Sequence, residues 1–390
     1  MARCPGGGVS LTVEKGIETS PIAAPLIERM RGIALRSLPR MYRPEVNRFG
    51  WCLRKMGEEV RLEGESLRYT AITAIGLASE EPETASGALH GATLTHLVDH
   101  LVKSADVTKN LGDAALIHWA AVATENAGVA ESRDRVLKLL AQEAQPYTVE
   151  LSWVVTALSL DTNAPKKQRD DSAARLLGGF SLKARAFPHR LGAPGGLRGH
   201  VSCFADLVYP IQALSHYHAT SGDIPSLRAA DACADLICER MGAAGQWWWH
   251  YDYRTGAVIE NYPVYAVHQD AMAPMALLTL AEAGGRDHSH EIQRGLNWLE
   301  SSPELNGGSL IDSRHDVIWR KIARREPNKL VRKIRAATTR AVQGWRVSAL
   351  DAIFPPGLID WETRPYHMGW LLHAFTPARA ARGYLAGGPA

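Results

Sequence analysis

Apolar and polar positions recur along this chain with helical periodicity, and no run alternates convincingly as a strand would. Two kinds of helix are predicted. Six segments, at 66–77, 113–123, 148–158, 203–214, 265–277 and 364–375, follow one order of residue types. Polar and aromatic residues fill the first turn or two, and small and aliphatic residues fill the rest. A helix that is apolar nearly all round belongs inside a protein. Between these segments, 132–142, 226–240 and 288–299 each carry one charged face and belong outside. Connections such as 219–223 and 283–287 place Gly just past one helix and a polar cap before the next. The alternation predicts an all-α fold with an inner ring of six helices wrapped by an outer ring. If the inner helices run parallel, their first turns converge at one end and line a shared pocket. An irregular helical solenoid, or two helical domains divided near 188–199, are the competing arrangements.

Length and composition narrow this further. A chain of 390 residues exceeds the usual size of one compact core, so it is either two domains or one closed architecture. No apolar run approaches the roughly 18 to 20 residues that span a bilayer. The first ten residues lack an apolar signal core, so 1–19 are read as a disordered tail, 20–385 as one domain and the protein as cytoplasmic. Five cysteines without a CxxC pair argue against a disulfide framework. The net charge of +3 gives no reason to expect nucleic acid. The charge is uneven, however. Residues 314–346 hold eleven Lys and Arg against Asp316 and Glu326, and are read as a basic helical insertion. Such a block is either a solvated face or a contact for an anionic membrane surface or a protein partner.

The pattern over roughly 20–385 resembles the (α/α)6 toroid superfamily, which includes six-hairpin glycosidases, polysaccharide lyases, sugar epimerases and terpenoid cyclases. Two stretches, Tyr262-Pro-Val-Tyr-Ala-Val-His-Gln-Asp270 and Phe354-Pro-Pro-Gly-Leu-Ile-Asp-Trp-Glu362, are also similar to uncharacterised proteins of exopolysaccharide biosynthesis. The resemblance implies a saccharide or glycoconjugate as substrate or ligand, and a polysaccharide pathway as the setting.

The least expected stretch is Gly245-Gln-Trp-Trp-Trp-His-Tyr-Asp-Tyr-Arg-Thr-Gly256. Three consecutive tryptophans cannot share one face. A sugar ring has apolar faces that stack on indole and hydroxyl edges that need polar partners. Trp248, Trp249 and Trp153 are therefore candidate platforms, with His250 and Asp252 among the rings; alternatively the loop is an aromatic plug. Downstream, Tyr265, His268 and Gln269 share a helix face beside Asp270 and demand partners if buried. The other inner starts supply Arg68 and Tyr69, His118 and Trp119, Glu150, Asp206 and Tyr209, and Arg364, Tyr366 and His367.

Two chemistries fit. Glycoside hydrolysis needs two carboxylates, drawn from Asp252, Asp270, Glu150 and Asp206. Proton abstraction beside a uronate carboxylate, as in lyases and epimerases, needs Arg68 or Arg364 with His268, Tyr265 or Tyr366. His268, Asp270, Asp252 and Glu150 are the expected catalytic residues. A terpenoid or prenyl-chain cyclase is a further reading, with aromatics facing a carbocation, but its acidic motifs are missing. A non-catalytic binding or scaffold protein of polysaccharide assembly is the other. No P-loop, dinucleotide fingerprint or nucleophile elbow occurs. His96 and His100 lie one turn apart without the Glu of a zinc-hydrolase motif, so neither a metal nor a cofactor is expected.

Overall fold

The computed structural model describes residues 23–192, 196 and 198–384; the 1–19 tail lies outside them. The six inner segments are helices α2 (Leu67–Leu77), α5 (Leu111–Ala123), α7 (Thr148–Leu160), α9 (Ala205–Ser221), α11 (Ala273–Glu282) and α15 (Pro365–Ala374). Their starts are fixed locally. Ser66 Oγ accepts the Tyr69 amide at 3.2 Å, and Asn110 Oδ1 accepts the Asp113 amide at 2.8 Å, each satisfying a donor the helix leaves free. Helix α11 is entered through a π-helical turn, His268–Met272, and Pro274, which has no amide to donate to that preceding turn, falls just inside α11.

The charged-face helices are α1 (Ala23–Ser37), α4 (Leu94–Ala105), α6 (Val129–Gln142), α8 (Lys166–Leu177), α10 (Ile224–Glu239) and α12 (Ser289–Glu300). Smaller helices are α3 (Pro82–Ala88), α13 (Leu330–Ala341), α14 (Ala349–Ile353) and α16 (Pro377–Ala381). Helix α2 packs on α5, α5 on α7, α7 on α9, α9 on α11, α11 on α15, and α15 on α2 again. On the outside, α4 lies against α2 and α5, α6 against α5, and α8 against α7 and α9. Helix α10 lies against α9 and α11, α12 against α11 and its π turn, and α1 against α15. Helices α2 and α15 meet backbone to backbone. A Cβ on Gly76 would stand 2.2 Å from the Gly369 carbonyl oxygen, and one on Gly369 would stand 2.7 Å from Thr73 Cα. Only glycine at both positions lets these backbones meet.

Strands are the main departure from the all-α expectation. Five small antiparallel sheets lie among the described residues. Strands β1 (Tyr42–Arg43) and β2 (Arg48–Phe49) form one, and β9 (Ile311–Asp312) and β10 (Val317–Ile318) another. Strand β3 (Cys52–Met56) lies between β4 (Glu59–Glu63) and β13 (Glu362–Thr363). Strand β6 (His250–Asp252) lies between β5 (Val201–Cys203) and β7 (Ala257–Glu260). Strand β11 (Lys321–Arg324) lies between β8 (Val264–Tyr265) and β12 (Pro356–Asp360). Each strand has two to five residues, too few for a period of two to register, and several partners are distant in sequence.

The basic segment 314–346 is accordingly β10, β11 and α13 rather than helix throughout. Two of its arginines are drawn into the interior. The wholly buried Glu260 carboxylate accepts from Arg324 Nε at 3.0 Å and Arg335 Nη1 at 2.8 Å, and Asp351 binds both guanidiniums from the other side at 2.6 and 2.7 Å. These charges staple α13 to β7 and β11, and they are not offered to a membrane or a protein partner. No helix among the described residues is long and apolar enough to cross a membrane.

Candidate active site

The first turns of α2, α5 and α7 bring three charged groups together. Arg68 Nε donates to Asp113 Oδ1 at 2.6 Å, its Nη2 donates to Asn110 Oδ1 at 2.8 Å, and the same Nη2 stands 3.7 Å from Glu150 Oε1. Asn110 Nδ2 donates to Glu150 at 3.0 Å, so one amide side chain spaces the guanidinium from this carboxylate. The Arg68 guanidinium also lies over the Trp153 ring at 5.3 Å, and Trp153 meets Tyr209 edge-on at 5.1 Å. Asp113 and Glu150 keep 21% and 13% of their side-chain surface exposed, enough for a ligand to reach them.

A second group forms where α15 meets α2. Arg364 Nη1 donates to the Tyr69 hydroxyl at 2.7 Å and its guanidinium lies over Trp51 at 4.4 Å. Tyr69 is stacked on Trp51 and tilted against Tyr366, with ring centres 4.8 and 4.7 Å apart. Behind these rings the buried Glu362 carboxylate takes Arg364 at 2.7 Å, Arg54 at 2.8 Å and Arg320 at 2.5 Å. Arg320 in turn lies over Tyr265 at 5.2 Å. Burial pushes the Tyr69 and Tyr265 phenols up to about 12, against the pull of the neighbouring arginines. Both are protonated at neutral pH, and so are hydrogen-bond donors rather than bases.

Beside Tyr265 a cavity of about 400 Å³ opens between β8, β11, β12 and the start of α13. Trp249, Tyr262 and Tyr265 supply aromatic wall; Arg320, Lys321 and Arg332 supply charge. Of the three consecutive tryptophans, Trp247 is fully buried against Phe204, Trp248 packs edge-on against Tyr262, and Trp249 faces this cavity.

Several expected site residues are otherwise engaged. His268 is enclosed by the rings of Phe204 and Tyr265 at 4.4 and 5.0 Å, and burial pushes it down to about 3. It is a neutral core imidazole, poorly placed to transfer protons. Asp252 is buried in the β6–β7 hairpin, where both carboxylate oxygens take Arg254 at 2.9 and 2.6 Å. It closes that turn and is not brought to Asp270. Gln269 accepts the Trp247 amide at 3.2 Å and donates to the Tyr265 carbonyl at 3.3 Å, holding the tryptophan loop on α11. His250 lies flat on Trp249 at 4.1 Å, and burial lowers it well below the ordinary imidazole range. His118 is a core residue bonded to Ser132 at 3.0 Å. Asp270 is wholly buried and pairs with His367 Nε2 at 2.7 and 2.9 Å. Burial raises its carboxyl despite that partner.

Asp206 is buried and binds His189 Nδ1 at 3.0 Å, which raises the imidazole. With Cys203 these two place three metal-ligand atoms within 4.8 Å, as do Cys238, His288 and Glu291. The first set already satisfies itself, since Asp206 also accepts the Cys203 amide at 2.7 Å.

Asp113, Trp51, Arg320 and Glu362 belong to the site without having been singled out from the sequence. Asp113 opens the second inner segment, so its place in the repeat was available as a signal. Arg320 was submerged in the basic block, and Trp51 reaches the site from β3's edge, outside any inner helix.

The sequence matches no protein-family model, and no curated protein is similar to it. Solved structures are similar in fold. An unsaturated glucuronyl hydrolase specific for heparin superposes with a TM-score of 0.59 at 12% identity, over 92% of this chain and 97% of that one. An unsaturated glucuronyl hydrolase from Bacillus sp. GL1, responsible for the degradation of glycosaminoglycan, gives 0.58 at 13% identity, over 93% and 99%. A sugar epimerase from a ruminal bacterium gives 0.57 at 10% identity, over 90% and 99%. At such identities the likeness is one of fold alone.

Proposed function

We propose that the protein is a carbohydrate-active enzyme, a glycoside hydrolase acting on an acidic saccharide at the mouth of its inner helices. The observation that carries this reading is the pair Asp113 and Glu150, two part-exposed carboxylates gathered around one guanidinium, Arg68, which itself covers the buried Trp153 ring. Hydrolysis of a glycosidic bond needs one carboxyl to donate a proton and another to act as base or nucleophile. Asp113, in direct contact with Arg68, suits the ionised role. Glu150, whose nearest partner is the neutral Asn110 amide, suits the acid role. The saccharide's own carboxylate would lie near Arg364 and Arg320, with Tyr69, Tyr366 and Tyr265 donating to it or to ring hydroxyls. Asp270 then acts from behind, fixing His367 next to Tyr366.

The similar structures, two hydrolases of unsaturated glucuronides and a sugar epimerase, support a saccharide ligand. A lyase or epimerase would need a base, and phenols held near 12 supply none readily. A prenyl-chain enzyme would have to form a carbocation among guanidiniums, which the charge of this site opposes. We further read residues 20–385 as one (α/α)6 toroid, because the succession of inner-helix contacts returns to its start. A cytoplasmic polysaccharide pathway is the setting we infer, in keeping with the free thiols of Cys52, Cys203, Cys233 and Cys238.

The test is a turnover screen over neutral and uronate oligosaccharides. Release of reducing ends from uronate substrates, lost in Glu150→Gln, supports the hydrolase. Turnover that survives in Glu150→Gln but is lost in Tyr366→Phe would assign the lyase or epimerase chemistry instead. Binding without turnover of any substrate would leave a sugar-binding scaffold.

A further inference from the structure

The cavity beside Tyr265 carries more positive charge than the proposed reaction uses. Three of its cations are compensated: Arg320 by Glu362, Lys321 by Asp360 at 2.7 Å, and Arg324 by the buried Glu260. Glu326, also in the wall, turns its Oε2 to the Val331 amide and caps the start of α13. Two cations are left. Arg332 lies over the Trp249 ring at 4.5 Å, and Lys329 stands at the N-terminal boundary of α13; neither has a carboxylate within salt-bridge distance among the described residues. Lys329 and the preceding Asn328 both have left-handed backbone, with φ of 58° and 47°, a conformation that Asn adopts readily and Lys seldom. Burial and the neighbouring Arg198 lower Arg332, against the pull of Tyr265, Glu326 and Glu260. The cavity's 400 Å³ lies within the range of small-ligand sites, and Trp249 with Tyr262 gives it flat apolar walls.

We propose that this cavity is a phosphosugar subsite, in which Arg332 and Lys329 bind the phosphoryl group of a phosphorylated saccharide while Trp249 stacks on the adjoining sugar. Arg332 and Lys329 together outweigh the one remaining wall carboxylate, Glu326, and attract a phosphate monoester, which carries about −1.5 to −2 charge at neutral pH, more strongly than a singly charged carboxylate or sulfate ester. Arginine's fork suits two phosphoryl oxygens at once, and lysine adds a point charge. Tyr265 and Arg320 border both this cavity and the Tyr366 group, so a saccharide lying across them would have its phosphate here and its reacting bond toward Glu150. The inference rests on the saccharide reading above and adds a substrate class to it.

The test is calorimetric titration of the full chain with a hexose 1-phosphate, the free hexose, a hexose 6-sulfate and inorganic phosphate. The hexose phosphate should bind at least about tenfold more tightly than the other three. Arg332→Gln and Lys329→Gln should each weaken it by about tenfold or more, the scale of one charge-assisted hydrogen bond. Lys329 is exposed, so its variant reports on binding even if Arg332→Gln disturbs folding. Equal affinity for the sulfate ester or for inorganic phosphate, or binding unchanged in both variants, would overturn the proposal. Turnover of unphosphorylated uronates by the same preparation separates the two claims. If turnover is present and phosphosugar binding is absent, the subsite fails alone; if binding is present and no saccharide is turned over, the hydrolase reading fails.

Discussion

Arg364 donates to the Tyr69 hydroxyl at 2.7 Å, joining the start of α15 to the first turn of α2 across the seam where the inner helices close. The same guanidinium is held by Glu362 and covered by Trp51, so its remaining donors have a fixed direction. Tyr69→Phe removes the hydroxyl and leaves the packing. It should lower kcat/KM on a uronate substrate by about tenfold or more, the cost of a hydrogen bond to a charged group. The melting temperature should move little, and that contrast is read by steady-state kinetics beside a thermal scan.

The seam itself depends on two glycines. Gly76→Ala puts a methyl group 2.2 Å from a backbone oxygen that cannot give way cheaply. Overpacking of this kind costs about 1 to 3 kcal/mol. Urea unfolding should show a lower midpoint for Gly76→Ala and almost none of that loss for Gly87→Ala, where nothing lies within 4 Å of the added carbon.

Acid should weaken the fold well above the carboxylate range. Burial pushes His268 and His373 down to about 3, and His216 and His118 to about 4, from an ordinary 6.5. A folded value below the unfolded one means stability that is full above pH 6.5 and is lost as the pH falls toward these folded values. Each such group contributes at most about 1.4 kcal/mol per pH unit in that window. Asp270, which burial raises, acts in the opposite sense and offsets part of the loss. Urea midpoints should fall from pH 7 to pH 4.5. His268→Phe, which keeps a ring against Phe204 and Tyr265, should flatten that slope.

The Glu260 staple makes a separate prediction about α13. Arg324, Arg335 and Glu260 are all essentially without solvent contact. Removing the carboxylate charge leaves two buried guanidiniums short of a partner, which costs about 3 to 5 kcal/mol. In Glu260→Gln, amide hydrogen exchange should accelerate across Leu330–Ala341. Exchange in α5 and α7 should stay slow.

The helical ring was legible because its signal is long-range repetition: each inner helix spends many residues on one rule, polar first and aliphatic after. Arg68, Tyr69, Glu150, Trp153 and Arg364 were visible because they occupy the polar start of that rule. Asp252, His268 and Gln269 looked equally chemical, yet the structure uses them to close a hairpin, fill an aromatic core and hold a loop. Nothing local distinguishes a buried polar group that has a partner from one that awaits a substrate. The partners decide it, and they come from distant elements: Arg320 from β11's edge meets Glu362 beside β3, and Asp113 meets Arg68 across two helices. The strands were hidden for the same reason, since β13 is defined only by its pairing with β3.

The central claim is that Glu150 and Asp113 perform the chemistry. Its most direct test is kcat for Glu150→Gln and Asp113→Asn on a uronate oligosaccharide, with dissociation constants measured on the same variants. General acid and base groups contribute about 10²- to 10⁴-fold. Each variant should therefore lose at least about a hundredfold in kcat while binding the saccharide within a few-fold of the parent. Variants that turn over substrate as the parent does, or a parent that binds the saccharide and never cleaves it, would contradict the claim.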